Sequence, residues 1–158
     1  VTLRERQAYA IWQHGSDLSL IERSGSVIAP LRDNKFASLP LFVGRDAETA
    51  AASIDEEFSK WPSIASRVKA FVRVGGRRWD VHLDSGIVVR LPEENVAGAL
   101  ALLNRFDVEQ QVLSRDVALI DMRLPDRVAV RLTPGAQERR TAALEERRKA
   151  LKKLEQKI

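Results

Sequence analysis

Residues 68–91 constrain the fold more than any other part of the chain. Val68, Ala70, Val72 and Val74 recur every second residue, and Gly75-Gly76 then turns the chain. Arg77, Trp79, Val81 and Leu83 follow on one face, with Arg78, Asp80 and His82 on the other. After Asp84-Ser85-Gly86 the alternation returns in Ile87, Val89 and Leu91. A period of two is the pattern of a half-buried strand, and a short Gly-containing loop between two such runs closes a hairpin.

Two helices are predicted to cover this sheet. Asp46 is placed to cap the first, in which Ala47, Ala51, Ile54, Phe58 and Trp61 fall on one face before Pro62 stops it. Pro92-Glu93-Glu94 opens the second, with Val96, Ala99, Leu100, Leu103 and Phe106 toward the core. Upstream, Ala8, Ala10 and Trp12, then Leu18, Leu20 and Ile21, then Val27-Ile28 form short apolar pieces separated by His14-Gly15-Ser16-Asp17 and Ser24-Gly25. These suggest an antiparallel meander, followed by a loop-like stretch from Pro30 to Pro40. A last pair, Val117–Leu124 and Arg127–Leu132, is joined at Pro125-Asp126. The predicted class is α+β: a largely antiparallel sheet with two packed helices and a charged C-terminal tail, helical or disordered.

Charge separates the tail from the body. From Gly135 onward there are eight basic and four acidic residues, whereas residues 1–134 hold 18 of each. The net charge of +4 therefore belongs to the tail. Leu144, Leu151 and Ile158 stand seven apart there, with Leu154 between, on a background of strong helix formers. Such a tail admits a second function class, binding to nucleic acid or an anionic surface, although its interleaved glutamates make it a poor polycation.

Little in the chain points to chemistry. With no cysteine, a disulfide framework, a thiol nucleophile and thiolate metal ligands are excluded. His14 and His82 lie far apart and outside any metal-ligand spacing. Glu56-Glu57 and Glu93-Glu94 are adjacent pairs, and neighbouring helical residues diverge, so neither forms an acid–base couple. Gly75-Gly76 lacks the spacing of a phosphate-binding loop. Arg77-Arg78 beside Trp79 could suit nucleic acid, but Trp79 is in register with Val81 and Leu83 and is expected in the core. No catalytic, cofactor or metal site is predicted. No run approaches the roughly 18 apolar residues of a membrane span. The opening on Val1, mid-pattern, is expected of a piece of a longer protein.

Taken in order, several segments resemble the bacterial cell-division family FtsQ/DivIB in its alphaproteobacterial form. They are Glu5-Arg6 with Ala8, Ala10 and Trp12; Leu20-Ile21 to Gly25; Leu39-Pro40-Leu41 with Gly44; Arg77-Arg78-Trp79-Asp80-Val81 with Leu83 and Gly86; Leu91-Pro92; and Asp121-Met122-Arg123 with Arg127 to Leu132. The resemblance implies a β domain over 1–134, with residues 1–12 at the junction with a preceding POTRA domain, and a tail over 135–158. It implies a non-enzymatic divisome scaffold, the periplasmic part of a single-pass inner-membrane protein, which binds FtsB and FtsL by strand addition at its last strand. The implied binding edge is Arg127, Val128, Ala129, Val130, Arg131 and Leu132, with Arg123 and Arg77 or Arg78 meeting acidic partner residues. Leu124 and Leu132 stand where enterobacterial relatives carry aromatic residues, so aliphatic packing would replace a ring there. A POTRA-associated assembly or secretion protein is the remaining alternative.

Overall fold

The computed structural model describes residues 6–157. Glu5 and Ile158, named above, lie outside the described residues, as do positions 1–5 of the expected junction. The strands are β1 (Ala10–His14), β2 (Asp17–Ile21), β3 (Val27–Pro30), β4 (Leu41–Val43), β5 (Val68–Val74), β6 (Arg78–Leu83), β7 (Val88–Arg90), β8 (Val117–Asp121) and β9 (Ala129–Leu132). The helices are α1 (Ala47–Ser59), α2 (Pro62–Ala65), α3 (Val96–Gln110) and α4 (Pro134–Gln156). All nine strands form one sheet in the order β3-β2-β1-β4-β5-β6-β7-β8-β9.

The class is α+β, as the sequence predicts. Five of the eight strand pairings are antiparallel; β1–β4, β4–β5 and β7–β8 are parallel. A parallel neighbour cannot be reached by a tight turn, so α1 with α2 carries the chain from β4 to β5, and α3 carries it from β7 to β8. Both crossovers step the same way across the sheet. Because such crossovers share one hand, both helices belong on the same face, where α1 and α3 touch.

The core lies between that face and the helices. Phe71 stacks on Phe42 with ring centres 5.0 Å apart and meets Phe58 of α1 edge-on at 5.0 Å. Trp79 closes the group at 6.2 Å from Phe71, and the Arg73 guanidinium lies 4.9 Å from the centre of the Trp79 ring. The expected faces of both main helices are confirmed by burial of Ala47, Ala51, Ile54 and Phe58 in α1 and of Ala99, Leu100 and Leu103 in α3. Val96 and Phe106 are only half-buried.

Several details differ from the expectation. In β5 the register shifts between Val68 and Ala70, so Phe71, rather than the valine row, meets the helices. Leu41–Val43, directly after the loop-like stretch and not predicted as a strand, is an inner strand. Strand β8 ends at Asp121, not Leu124, and a shift between Val117 and Leu119 lets both Val117 and Ile120 enter the core. Strand β9 begins at Ala129, leaving Arg127 and Val128 in the connection. Asp46 stands at the N-cap of α1 but makes no side-chain cap, its φ being 64°. Pro62 opens α2 as well as ending α1. Helix α3 starts at Val96, where the Asn95 side chain accepts from the Gly98 N–H at 3.2 Å. The tail is helical: Thr133 caps α4 and Pro134 occupies its first turn.

The aromatic junction gives a stability prediction. Phe71→Ala empties a site walled by three rings and is expected to cost about 3–5 kcal/mol. Val72→Ala, half-buried on the opposite face, is expected to cost about 1 kcal/mol or less. Urea denaturation of both variants checks the assignment, and equal losses would contradict it.

Candidate functional site

A sheet that does not close has two edges, and here they differ. Among the described residues strand β3 pairs only with β2, and it ends in Pro30, which has no N–H to offer. Its Val27 carbonyl also accepts from Arg6 Nη1 at 3.3 Å, and Arg6 is held 3.4 Å from Glu22. Among the described residues strand β9 pairs only with β8; it contains no proline and exposes Ala129, Val130 and Arg131, with Leu132 half-buried and its carbonyl accepting from Gln137 Nε2 at 3.1 Å. Proline and a capping arginine blunt the first edge, while the second retains backbone groups facing outward.

The connection from β8 to β9 borders two hollows. One is a cavity of about 350 Å³ between α3 and the connection, lined by apolar atoms of Leu102, Phe106, Met122, Leu124, Pro125 and Val128 and by Arg127. The other, of about 450 Å³, is lined by Arg77, Arg78, Arg123, Glu93, Val74 and Gly75. Three arginines and one glutamate face it, giving a net positive cleft suited to a carboxylate.

Arg123 is oriented by the sheet. Its Nε lies 2.9 and 3.1 Å from the two Asp121 carboxylate oxygens, and its Nη2 donates to Oδ2 at 2.6 Å. Asp121 also receives the Arg123 backbone N–H at 3.1 Å and stands 3.9 Å from Arg90. The hydrogen bonds from Arg123 hold the Asp121 carboxyl below the usual carboxylate range, against the opposing effect of its burial. Arg90 pairs in register with Asp80 on β6 and Asp121 on β8, so charges alternate across three strands.

The residues singled out from sequence thus fall into three adjoining parts. Arg77, Arg78 and Arg123 share the basic cleft; Leu124, Arg127 and Val128 line the apolar cavity; Ala129 to Leu132 form the edge. Sequence reasoning missed Leu102 and Phe106 as cavity walls. Phe106 sits in phase with the core face of α3, and only the path of the β8–β9 connection leaves it half-exposed. The histidines remain apart from all three parts: His14 stacks on Trp12 at 5.3 Å and His82 is exposed. Among the described residues no cluster of three or more His, Cys, Asp or Glu could hold a metal ion, and no helix is long and apolar enough to cross a membrane.

Residues 10–123 match the family model described as Cell division protein FtsQ/DivIB, C-terminal. The chain belongs to that family. Relatives bearing the name Cell division protein FtsQ include one from Rhizobium radiobacter, 66% identical over 155 residues, covering 98% of this chain and 74% of that protein. One from Agrobacterium fabrum is also 66% identical over 155 residues, covering 98% of this chain and 49% of its own length. One from Caulobacter vibrioides is 37% identical over 131 residues, covering 83% and 43%. The chain therefore spans about half the length of the Agrobacterium and Caulobacter FtsQ proteins. The family match ends at Arg123, so β9 and α4 lie beyond it, whereas the Rhizobium radiobacter alignment takes in nearly the whole chain.

The Asp121–Arg123 fork predicts a pH dependence. A carboxyl held below its ordinary value in the fold adds stability above the ordinary carboxylate range, and that stability is lost as pH falls through the folded value. Arg123→Ala is expected to raise the Asp121 titration midpoint toward the ordinary range and to reduce the stability difference between neutral and acid pH. Carboxyl-carbon NMR titration of both proteins measures this, and an unmoved Asp121 would rule out the fork as the cause.

Proposed function

We propose that this chain is the partner-binding module of a non-enzymatic divisome scaffold, which captures an extended partner segment by strand addition on β9. The observation that carries the reading is the asymmetry of the edges: β3 is blunted by Pro30 and Arg6, whereas β9 has no proline and is capped only at its C-terminal end, where Gln137 donates to the Leu132 carbonyl. An added strand gains main-chain hydrogen bonds along β9, each adding about 0.5–1.5 kcal/mol net. Side chains flanking it supply specificity. The cavity by Leu124 and Val128 takes an apolar residue, and the cleft of Arg77, Arg78 and Arg123 takes an acidic one. Arg131 adds positive charge on the strand itself, while Arg127 stands 3.8 Å from Asp126. Membership of the FtsQ/DivIB family supports the periplasmic segments of FtsB and FtsL as the partners. On this reading residues 1–134 are the binding body, and the whole protein is anchored by one span in the inner membrane with this part in the periplasm.

The test is calorimetric titration with the periplasmic segment of the same organism's FtsB, alone and with FtsL. N–H groups of an edge strand alternate between its neighbour and solvent, so Val130→Pro and Arg131→Pro remove one donor of each kind. The parent is expected to bind, and the variant that loses the outward donor is expected to stay folded and bind at least about tenfold more weakly. Unchanged affinity in both variants would move the interface off β9. No binding by the parent would remove these partners.

A further inference from the structure

Helix α4 carries an apolar stripe that none of the described residues covers. It is 23 residues long, about 35 Å at the usual rise, and has no buried residue. Its base is fixed to the body. Thr133 N–H donates to the Asp116 carbonyl at 3.0 Å, Gln137 Nε2 donates to the Leu132 carbonyl at 3.1 Å, and Arg139 pairs with Asp116. Beyond that base, Leu144, Leu151 and Leu154 are 55%, 54% and 62% exposed. At 3.6 residues per turn the three leucines share one side, joined by Ala143 and Ala150. A helix stabilised only by its own propensity and solvated charges has no need of leucines in that phase.

The charges within the stripe select its occupant. By the same periodicity Arg140 and Arg147 fall among the leucines and Arg148 at their margin, with Glu155 the single acid beside them, while Glu138, Glu145 and Glu146 lie away from it. Among the described residues none of the three arginines pairs with a carboxylate. A second copy fits poorly. Parallel pairing sets Arg147 against Arg147, and antiparallel pairing of Leu144 with Leu151 sets Arg147 beside Arg148, both like-charge contacts between the apolar pairs. An anionic lipid surface also fits poorly, because the stripe is narrow, has no aromatic residue and holds Glu155. We propose that α4 docks an amphipathic helix whose leucine-type seam is flanked by glutamate or aspartate. Interdigitated aliphatic side chains would supply the contact, and carboxylates paired with Arg140, Arg147 and Arg148 would set register and partner choice. This surface is separate from the β9 edge and does not depend on the strand-addition reading.

The test uses the 158-residue chain with two synthetic peptides of about three heptads. Both carry leucine at a and d; one has glutamate and the other lysine at the flanking positions. Binding is read by fluorescence anisotropy for the parent, Leu144→Gln/Leu151→Gln, Arg140→Glu/Arg147→Glu and Val130→Pro, with far-UV circular dichroism confirming that α4 remains helical. The glutamate peptide is expected to bind the parent and Val130→Pro alike, and at least about tenfold more weakly to each α4 double variant. The charge-reversed variant is expected to gain the lysine peptide. Equal binding of the two peptides by the parent, or none of either, overturns the proposal. So does concentration-dependent self-association in sedimentation velocity that Leu144→Gln/Leu151→Gln abolishes, which would make a second copy the occupant. Adsorption to phosphatidylglycerol–phosphatidylcholine vesicles without peptide discrimination would overturn it in favour of lipid.

Discussion

The contact between Phe71 and its three aromatic neighbours holds the rest of the molecule in place. Phe71 lies on β5, where the meander-bearing half of the sheet joins the hairpin-bearing half. Phe42 reaches it from β4, Trp79 from β6 and Phe58 from α1, so one cluster fixes two strand pairings and a helix together. Aromatic pairs at these separations add specific geometry to a large buried area. With α1 fixed, α3 packs beside it on the same face, and the β7–β8 crossover brings β8 and β9 to the far end of the sheet.

That arrangement explains why the candidate site gathers at one end. Strand β9 comes last in the body, and among the described residues no strand pairs outside it. The connection before it passes α3, which leaves a hollow beside Leu124 and Val128, and its Arg123 lines the basic cleft. Backbone groups, an apolar hollow and a positive cleft thus adjoin without any catalytic constellation. Asp121 sets the direction of Arg123, and the Asp80–Arg90–Asp121 row runs across the neighbouring strands. Its alternating charges lie on the face that the helices leave open.

Helix α4 then leaves the body directly after β9. Its propensity makes it a helix and Thr133 fixes where it starts, but its packing is confined to its base. An edge strand and an exposed helical stripe consequently follow one another in sequence. A partner could engage either alone or both in succession.

Much of this fold was legible from local pattern. The period-two runs of β6 and β7, the buried faces of α1 and α3 and the charge break at the tail each follow from side-chain spacing, because burial of one face is decided by phase. The family resemblance rested on residues of these same elements, and three of the arginines it singled out, Arg77, Arg78 and Arg123, line one cleft. Pattern failed where tertiary contacts overrode phase. The shift at Val68–Ala70 turned Phe71 inward, and the shift at Val117–Leu119 buried two residues that strict alternation would separate. A three-residue inner strand at Leu41–Val43 carries too short a signal to be distinguished from a loop. Which edge is open could not be read from sequence, since it depends on strand order, on Pro30 closing one side and on Arg6 reaching the Val27 carbonyl across 21 positions. Sequence determined the elements and their buried faces through local spacing; only the tertiary structure decided strand order, register and the free edge, because those are set by hydrogen bonds and packing between residues far apart in the chain.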